Sequence, residues 1–398
     1  MIPGPGIFRT QLPNGFLAGG INCGVRHYRP DLGIIISEKP CIGSGVFTQN
    51  TCKAAPVKYC KNLLPANNIK VIITNSGEAN AATGLQGIKN NQKMVEAVAK
   101  ALTCNKNQIL TASTGVIGKH LSVEKIVAAI PSLTKSVSNI AEKFATSILT
   151  TDLVPKTACK EIQLSEGKVS ITGICKGSGM IHPNMATMLG YLLTDAQLTI
   201  QQSETLLKAV CNQSFNMVSV DGETSTNDSV FMLSNGASGV KIKNGKDMKI
   251  FYDALLEICI TLAKSIARDG EGASKLIQIT VSGVKNGAQA KKLARSLSVS
   301  PLIKTAIYGE SPNWGRILAR IGSERISEKM LNQCDIFIQG IKVFSKGAPS
   351  IIAEDIENKL KEDTTEIVVN FSEGKCSATA WSCDLTEKYV KINAEYIS

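Results

Sequence analysis

Lys176-Gly-Ser-Gly-Met-Ile-His-Pro-Asn-Met-Ala186-Thr187-Met-Leu-Gly-Tyr191 is the most unusual stretch of the chain. It follows a β-branched run ending at Cys175. Gly177 and Gly179 permit backbone angles that other residues avoid, and Pro183 fixes a further one. A bend of this kind can deliver one side chain, Thr187, to a defined place. On composition alone the stretch fits an ordinary loop between two strands better, because glycine-rich turns are far commoner than reactive threonines.

Outward from this bend, short β-branched runs alternate with longer helical periods, which indicates a mixed α/β protein and not a bundle or a sandwich. Strands are expected at Gly33–Ser37, Ile69–Thr74, Lys168–Cys175, Val230–Ser234, Ile277–Val284, Asp335–Phe344, Glu366–Phe371 and Ser377–Cys383. Helices are expected at Gln92–Leu102, Val123–Ile130, Val137–Leu149, Ser203–Cys211 and Tyr252–Ala267. The last carries Leu255, Cys259, Leu262 and Ile266 on one face and stops at Gly270 and Gly272. No Ser/Pro/Gly-rich linker divides the chain, so its core regions should pack directly against one another.

The 398 residues are long enough for two or three domains' worth of core. Lys+Arg of 44 against Asp+Glu of 33 gives a net charge of +11, but the excess is dispersed. The densest basic stretch, Lys241, Lys243, Lys246 and Lys249, has no aromatic residue to stack a base, which argues against nucleic acid as a partner. The 12 cysteines are scattered from Cys23 to Cys383 without a CxxC pair and read as reduced core thiols. The start, Met1-Ile-Pro-Gly-Pro-Gly6, lacks the basic and apolar regions of a leader, and no apolar run reaches roughly 18 residues. A cytoplasmic protein with no membrane partner is expected.

Several common chemistries lack their motifs. There is no GxxxxGK[ST] loop, no GxGxxG after a strand and no GxSxG elbow. The 3 histidines, His27, His120 and His182, form no HExxH and no pair at metal-ligand spacing, so no metal site is expected. A histidine-based triad would have to recruit one of them.

The stretch around Ala186-Thr187 resembles the self-cleavage signature of the ornithine acetyltransferase (glutamate N-acetyltransferase) family of arginine biosynthesis. Ordered blocks extend the resemblance over nearly the whole chain. They include Gly15-Phe-Leu-Ala-Gly-Gly20, Gly45-Val-Phe-Thr48, Asn75-Ser-Gly-Glu-Ala-Asn80, Ser113-Thr-Gly-Val-Ile-Gly118 and Thr150-Thr-Asp152. Val220-Asp-Gly-Glu-Thr-Ser-Thr-Asn-Asp228, Arg268-Asp-Gly-Glu-Gly272, Pro312-Asn-Trp-Gly-Arg316 and Ile392-Asn-Ala-Glu-Tyr396 complete the series. Each block is weak alone; their order makes the signal strong.

The resemblance implies the layered α/β fold of self-processing aminopeptidases, with an added C-terminal lobe. It implies self-cleavage between Ala186 and Thr187 into an alpha chain, 1–186, and a beta chain, 187–398, that intertwine in one catalytic unit. A hydroxyl held against the preceding carbonyl can attack it, and hydrolysis of the ester frees the Thr187 amine. That amine titrates near 8 in model peptides and can accept the proton of its own hydroxyl, so nucleophile and base share one residue. By resemblance Thr114 and Gly115 hold the oxyanion. Thr150, Lys176, Thr187, Glu271, Asn393 and Ser398 contact N-acetylornithine or glutamate, with Thr151 an alternative to Thr150. No cofactor is implied, acetyl-coenzyme A stays open as a second donor, and the mature particle is a heterotetramer of two alpha and two beta fragments.

Three departures stand out: Ser178 in the glycine-rich turn, Glu78 after the Asn-Ser-Gly block, and Ser398 at the end. Ser398 retains a hydroxyl for hydrogen bonding. Two rival readings are an aminopeptidase or amidase of the same fold, in which water resolves the acyl-enzyme, and an unprocessed binding homologue without activity.

Overall fold

The computed structural model describes residues 10–182, 188–243, 245–350 and 355–395. Its first sheet holds β1 (Phe16–Ile21), β2 (Leu32–Phe47), β3 (Ala66–Glu78), β4 (Ile109–Val116), β5 (Lys156–Leu164), β6 (Gly167–Lys176), β7 (Leu189–Thr194) and β9 (Ser229–Ser234). The second holds β8 (Val218–Ser219), β10 (Leu276–Val284), β11 (Asp335–Ile338), β12 (Ile341–Ser345), β13 (Ala348–Pro349), β14 (Thr364–Asn370) and β15 (Cys376–Cys383). The first runs β4-β3-β2-β9-β7-β6-β5 with β1 beside β2; the second runs β13-β12-β11-β14-β10-β15-β8.

β2 does two jobs because it breaks in the middle. Its first half pairs with β1 and β3, its second with β9 and the start of β3, and its register with β3 shifts between Ile36 and Cys41. Pro40 lies in that gap, where a residue without an N–H costs no ladder bond. β3 and β4 run parallel, as do β7 and β9, so the carboxyl ends of each pair open together.

Helices α1 (Ala55–Leu63), α2 (Gly84–Leu102), α3 (Val123–Lys135), α4 (Glu142–Ser147) and α5 (Ile200–Cys211) pack along the first sheet, α6 (Lys246–Arg268) lies between the two sheets, and α7 (Gly287–Ser298) packs on the second. Helices α8 (Pro301–Tyr308), α9 (Trp314–Ser323), α10 (Glu328–Asn332), α11 (Ile356–Lys359) and α12 (Glu387–Glu395) belong to the C-terminal part. In α6 the expected stripe is fully used: Leu255, Cys259, Leu262 and Ile266 are all buried. They join one continuous core that includes Ile171 and Leu192 of the first sheet and Ile277, Val281 and Trp381 of the second. The two sheets therefore share a core across α6, as the absence of a linker implied.

β7 shows the strand logic at its plainest. Leu189, Tyr191 and Leu193 enter a core with Phe144 of α4 and Phe231 of β9, while Leu192 faces the α6 side. Tyr191 is fully buried, meets Phe144 edge to face at 4.9 Å, and shares a hydrogen bond of 2.8 Å with Thr74.

Three expectations need correction. The helix expected over Val137–Leu149 is only Glu142–Ser147, because Ser138 and Ile140 instead bridge to Ala18 and Gln11. The strand expected over Asp335–Phe344 is a hairpin, turned at Gln339 and Gly340, which both have positive φ. Of the cysteines, Cys52 and Cys159 are exposed, whereas Cys41, Cys60, Cys175, Cys211, Cys259, Cys334 and Cys383 are buried. No helix among the described residues is long and apolar enough to cross a membrane.

Candidate active site

Thr114 and Gly115 stand at the carboxyl end of β4, paired in parallel with Ser76 and Gly77 of β3. They sit on a strand and not in a simple turn before a helix. Gly115 has φ +125°, and a Cβ there would lie 2.3 Å from the Gly77 carbonyl carbon, so only glycine lets the two strand ends meet. Across from them, β6 ends at Lys176. Its ammonium donates to the Thr114 hydroxyl at 3.4 Å, although the side chain is almost wholly buried.

The glycine-rich turn after Lys176 is stitched to the end of α6. The Ser178 hydroxyl donates to the Asp269 carbonyl at 2.7 Å, and the Glu271 N–H donates to the Ser178 carbonyl at 3.1 Å. This brings the half-buried Glu271 beside the turn, where Asn393 of α12 donates its amide to Oε2 at 2.9 Å. From a fourth direction comes the loop after α4. Arg26 donates to the Leu149 carbonyl at 2.5 Å and to that of Thr150 at 3.3 Å, which holds the loop in place.

These pieces enclose one cavity of about 290 Å³. Thr114, Gly115, Thr150, Thr151, Lys176, Glu271 and Asn393 all line it, so both candidate threonines of the 150–151 pair reach the space. Met188 and Ile181 line it too, on either side of residues 183–187. Ala186, Thr187 and Ser398 lie outside the described residues.

Chain on both sides of the expected cut is firmly held. The Met180 and Ile181 N–H groups donate to the Asp221 carboxylate at 2.6 and 2.9 Å, and the Ser229 N–H donates to the Met188 carbonyl at 3.0 Å. Asp221 nevertheless titrates above its ordinary range, because burial outweighs these bonds.

Electrostatically the cavity is a dipolar slot, with Lys176 at one wall and Glu271 at another. Burial pulls the Lys176 ammonium below its ordinary pKa, although Asp152 opposes that shift. None of the three histidines lines the cavity. His182 is held between the Ser219 hydroxyl at 3.1 Å and the Arg295 guanidinium at 2.9 Å, and burial with that neighbouring charge holds it down at about 4. Among the described residues no cluster of His, Cys, Asp and Glu side chains could hold a metal ion.

A sequence model of the ArgJ family matches residues 17–398. The chain belongs to the ArgJ family. The resemblance read from the ordered motifs is thus borne out. Among its relatives, the Arginine biosynthesis bifunctional protein ArgJ of Bacillus subtilis (strain 168) is 42% identical over 388 residues, covering 96% of this chain and 95% of that protein. A crystal structure of ArgJ from Bacillus halodurans is 39% identical, covering 51% of this chain and 96% of that one, with a TM-score of 0.49. The ornithine acetyltransferase of Mycobacterium tuberculosis, solved in complex with ornithine, is 32% identical over 45% of this chain and 98% of that one, with a TM-score of 0.42.

Sequence reasoning missed part of what builds this ArgJ-family cavity. Asn227 lines it and donates its amide to the carbonyls of Ala79 at 2.5 Å and Ser113 at 2.8 Å, tying the mouth of β9 to β3 and β4. Asp152 lies behind the wall, fully buried, and accepts from the Gly177 N–H at 2.6 Å and the Thr150 N–H at 3.1 Å. Both residues stood inside quoted motifs, so the signal was present without a role attached.

Proposed function

We propose that this ArgJ-family chain cleaves itself between Ala186 and Thr187 and then carries the acetyl group of N2-acetylornithine to glutamate on the Thr187 hydroxyl. The chain is an acyltransferase of arginine biosynthesis. One observation carries the reading: residues from five separate parts of the chain, named beforehand as substrate or oxyanion contacts, line a single cavity bounded by Ile181 and Met188.

The steps balance with the residues at hand. The freed Thr187 amine takes the hydroxyl proton, and the oxygen attacks the acetyl carbonyl of N-acetylornithine. The Thr114 hydroxyl and the Gly115 N–H, brought to the cavity by the close β3–β4 approach, stabilise the tetrahedral oxyanion, a contribution of about 3 kcal/mol per donor. The C–N bond breaks, ornithine leaves with the proton from the Thr187 amine, and acetyl-Thr187 remains. The amine of glutamate then attacks that ester, giving N-acetylglutamate and the free hydroxyl. Lys176 receives the α-carboxylate common to both substrates, and Glu271 with Asn393 receives the ornithine ammonium. Thr150 and Ser398 complete the substrate contacts.

The sheet order supports a particle that survives its own cleavage. β7 and β9, from 187–398, sit between β6 and β2, from 1–186, so every strand of the break is flanked by the other fragment. Two alpha and two beta fragments are proposed for the mature assembly. To test the transfer, N-acetylornithine labelled in the acetyl group is mixed with enzyme and glutamate. Label recovered in N-acetylglutamate supports the reading, and label recovered as acetate regardless of glutamate replaces it with an amidase. The same mixture with acetyl-coenzyme A as donor tests the second activity that the name of the bifunctional relatives suggests.

A further inference from the structure

At and behind the cavity wall lie four charged side chains, almost all removed from water. Lys156 donates to Asp152 Oδ1 at 2.8 Å and to Asp269 Oδ2 at 2.5 Å, and the side chains of Lys156, Asp152 and Asp269 are 0%, 0% and 5% exposed. Lys176 is the fourth member. Its ammonium stands 3.9 Å from Asp152 Oδ2, beyond hydrogen-bond length, and turns its donors toward the Thr114 hydroxyl and the cavity.

Two carboxylates and two ammonium groups make the cluster neutral, but the partition is unequal. Lys156 lies between both carboxylates and makes the short ion contacts to them, whereas Lys176 makes none. We infer that Lys156 is a positioning residue: by occupying Asp152, it leaves the Lys176 ammonium free for a carboxylate ligand in the cavity. The inference rests on the reading of Lys176 as the substrate-carboxylate contact.

The electrostatics favour this division. Burial opposes charge on Asp152, yet Lys156 and Lys176 together hold it ionised well below the ordinary range. Burial also opposes charge on Lys156, and Asp152 with Asp269 more than restores it. Without the Lys156 charge, Asp152 would be an uncompensated buried anion with one cation within reach. Lys176 would close the 3.9 Å gap. An incoming carboxylate would then compete with Asp152 for the same ammonium. Asp228 and Glu271 also act on Lys176, but more weakly than Asp152.

The test is the steady-state kinetics of the full, processed enzyme carrying Lys156→Met. Its KM for N-acetylornithine and for glutamate should rise about tenfold while kcat stays within about threefold, because uniform binding and not the transition state is lost. The penalty should vanish for the α-carboxamide of N-acetylornithine, which has no carboxylate to compete. Adding Asp152→Asn to Lys156→Met should return KM to within about threefold of the parent, since the competitor is gone. If the single variant does not fold, the double variant decides alone. A double-variant KM as high as that of Lys176→Met overturns the inference, as does an unchanged KM in folded Lys156→Met. Lys176→Met is also the separate control: if it leaves the carboxylate KM unchanged, the reading of Lys176 itself fails, whatever Lys156 does.

Discussion

Gly179 and the Glu271 carboxylate are packed so closely that a Cβ on the glycine would lie 2.3 Å from Oε1. The contact joins the turn before the expected cleavage site to the end of α6. The atoms in the way belong to the end of a flexible side chain, so Gly179→Ala should fold and push the carboxylate aside. We expect a KM for N-acetylornithine raised about tenfold, a much smaller change for glutamate, and a thermal midpoint within about 3 °C of the parent. Paired kinetics and melting curves check this.

At Gly115 the obstacle is backbone. An added Cβ would meet the Gly77 carbonyl carbon at 2.3 Å and the Glu78 nitrogen at 2.6 Å, with φ at +125°. Gly115→Ala should therefore lower stability on the order of 3 kcal/mol, combining strain with overpacking. Urea titration of the two proteins would show a lower midpoint at a similar slope.

Thr114→Ala removes one donor without disturbing the β3–β4 pairing, since the neighbouring Gly115 carries the close approach. The rate of acetyl transfer should fall by about 10²–10³, with KM changed little. Single-turnover measurement of acetylation separates this loss from product release.

How much of this was readable in the chain alone depends on how local the signal is. α6 was legible because Leu255, Cys259, Leu262 and Ile266 repeat at the helical period and bury as a stripe. β4 was not, because Thr111-Ala-Ser-Thr-Gly115 is small and polar, and its strand state comes from parallel pairing with β3. The Asp335–Phe344 run hid its turn, since Gln339 is an unusual residue at positive φ. Site residues were legible through ordered motifs, but the ties between them were not. Asp152, Lys156 and Asp269 converge only because α6 ends beside the turn at the end of β6. Burial of charge at that depth leaves no periodic mark in sequence.

A pH dependence follows from His182. Burial and the nearby Arg295 lower its folded-state pKa from the ordinary 6.5 to about 4, so the unfolded chain binds the proton more tightly. Its contribution to stability is therefore complete above about 6.5 and is lost as pH falls from 6.5 toward 4. His182→Gln should show a shallower fall in thermal midpoint across that window than the parent. Equal slopes would mean that His182 titrates alike in both states.

Intact-protein mass spectrometry under denaturing conditions asks most directly whether Thr187 is freed and acetylated. The chain and its Thr187→Ala variant are compared before and after brief exposure to N-acetylornithine. The parent should appear as two fragments meeting at Ala186 and Thr187, with an acetyl increment on the second alone, and the variant as one uncleaved, unlabelled chain. A folded parent that stays whole and unlabelled, or a label that persists in the variant, would contradict Thr187 as the nucleophile.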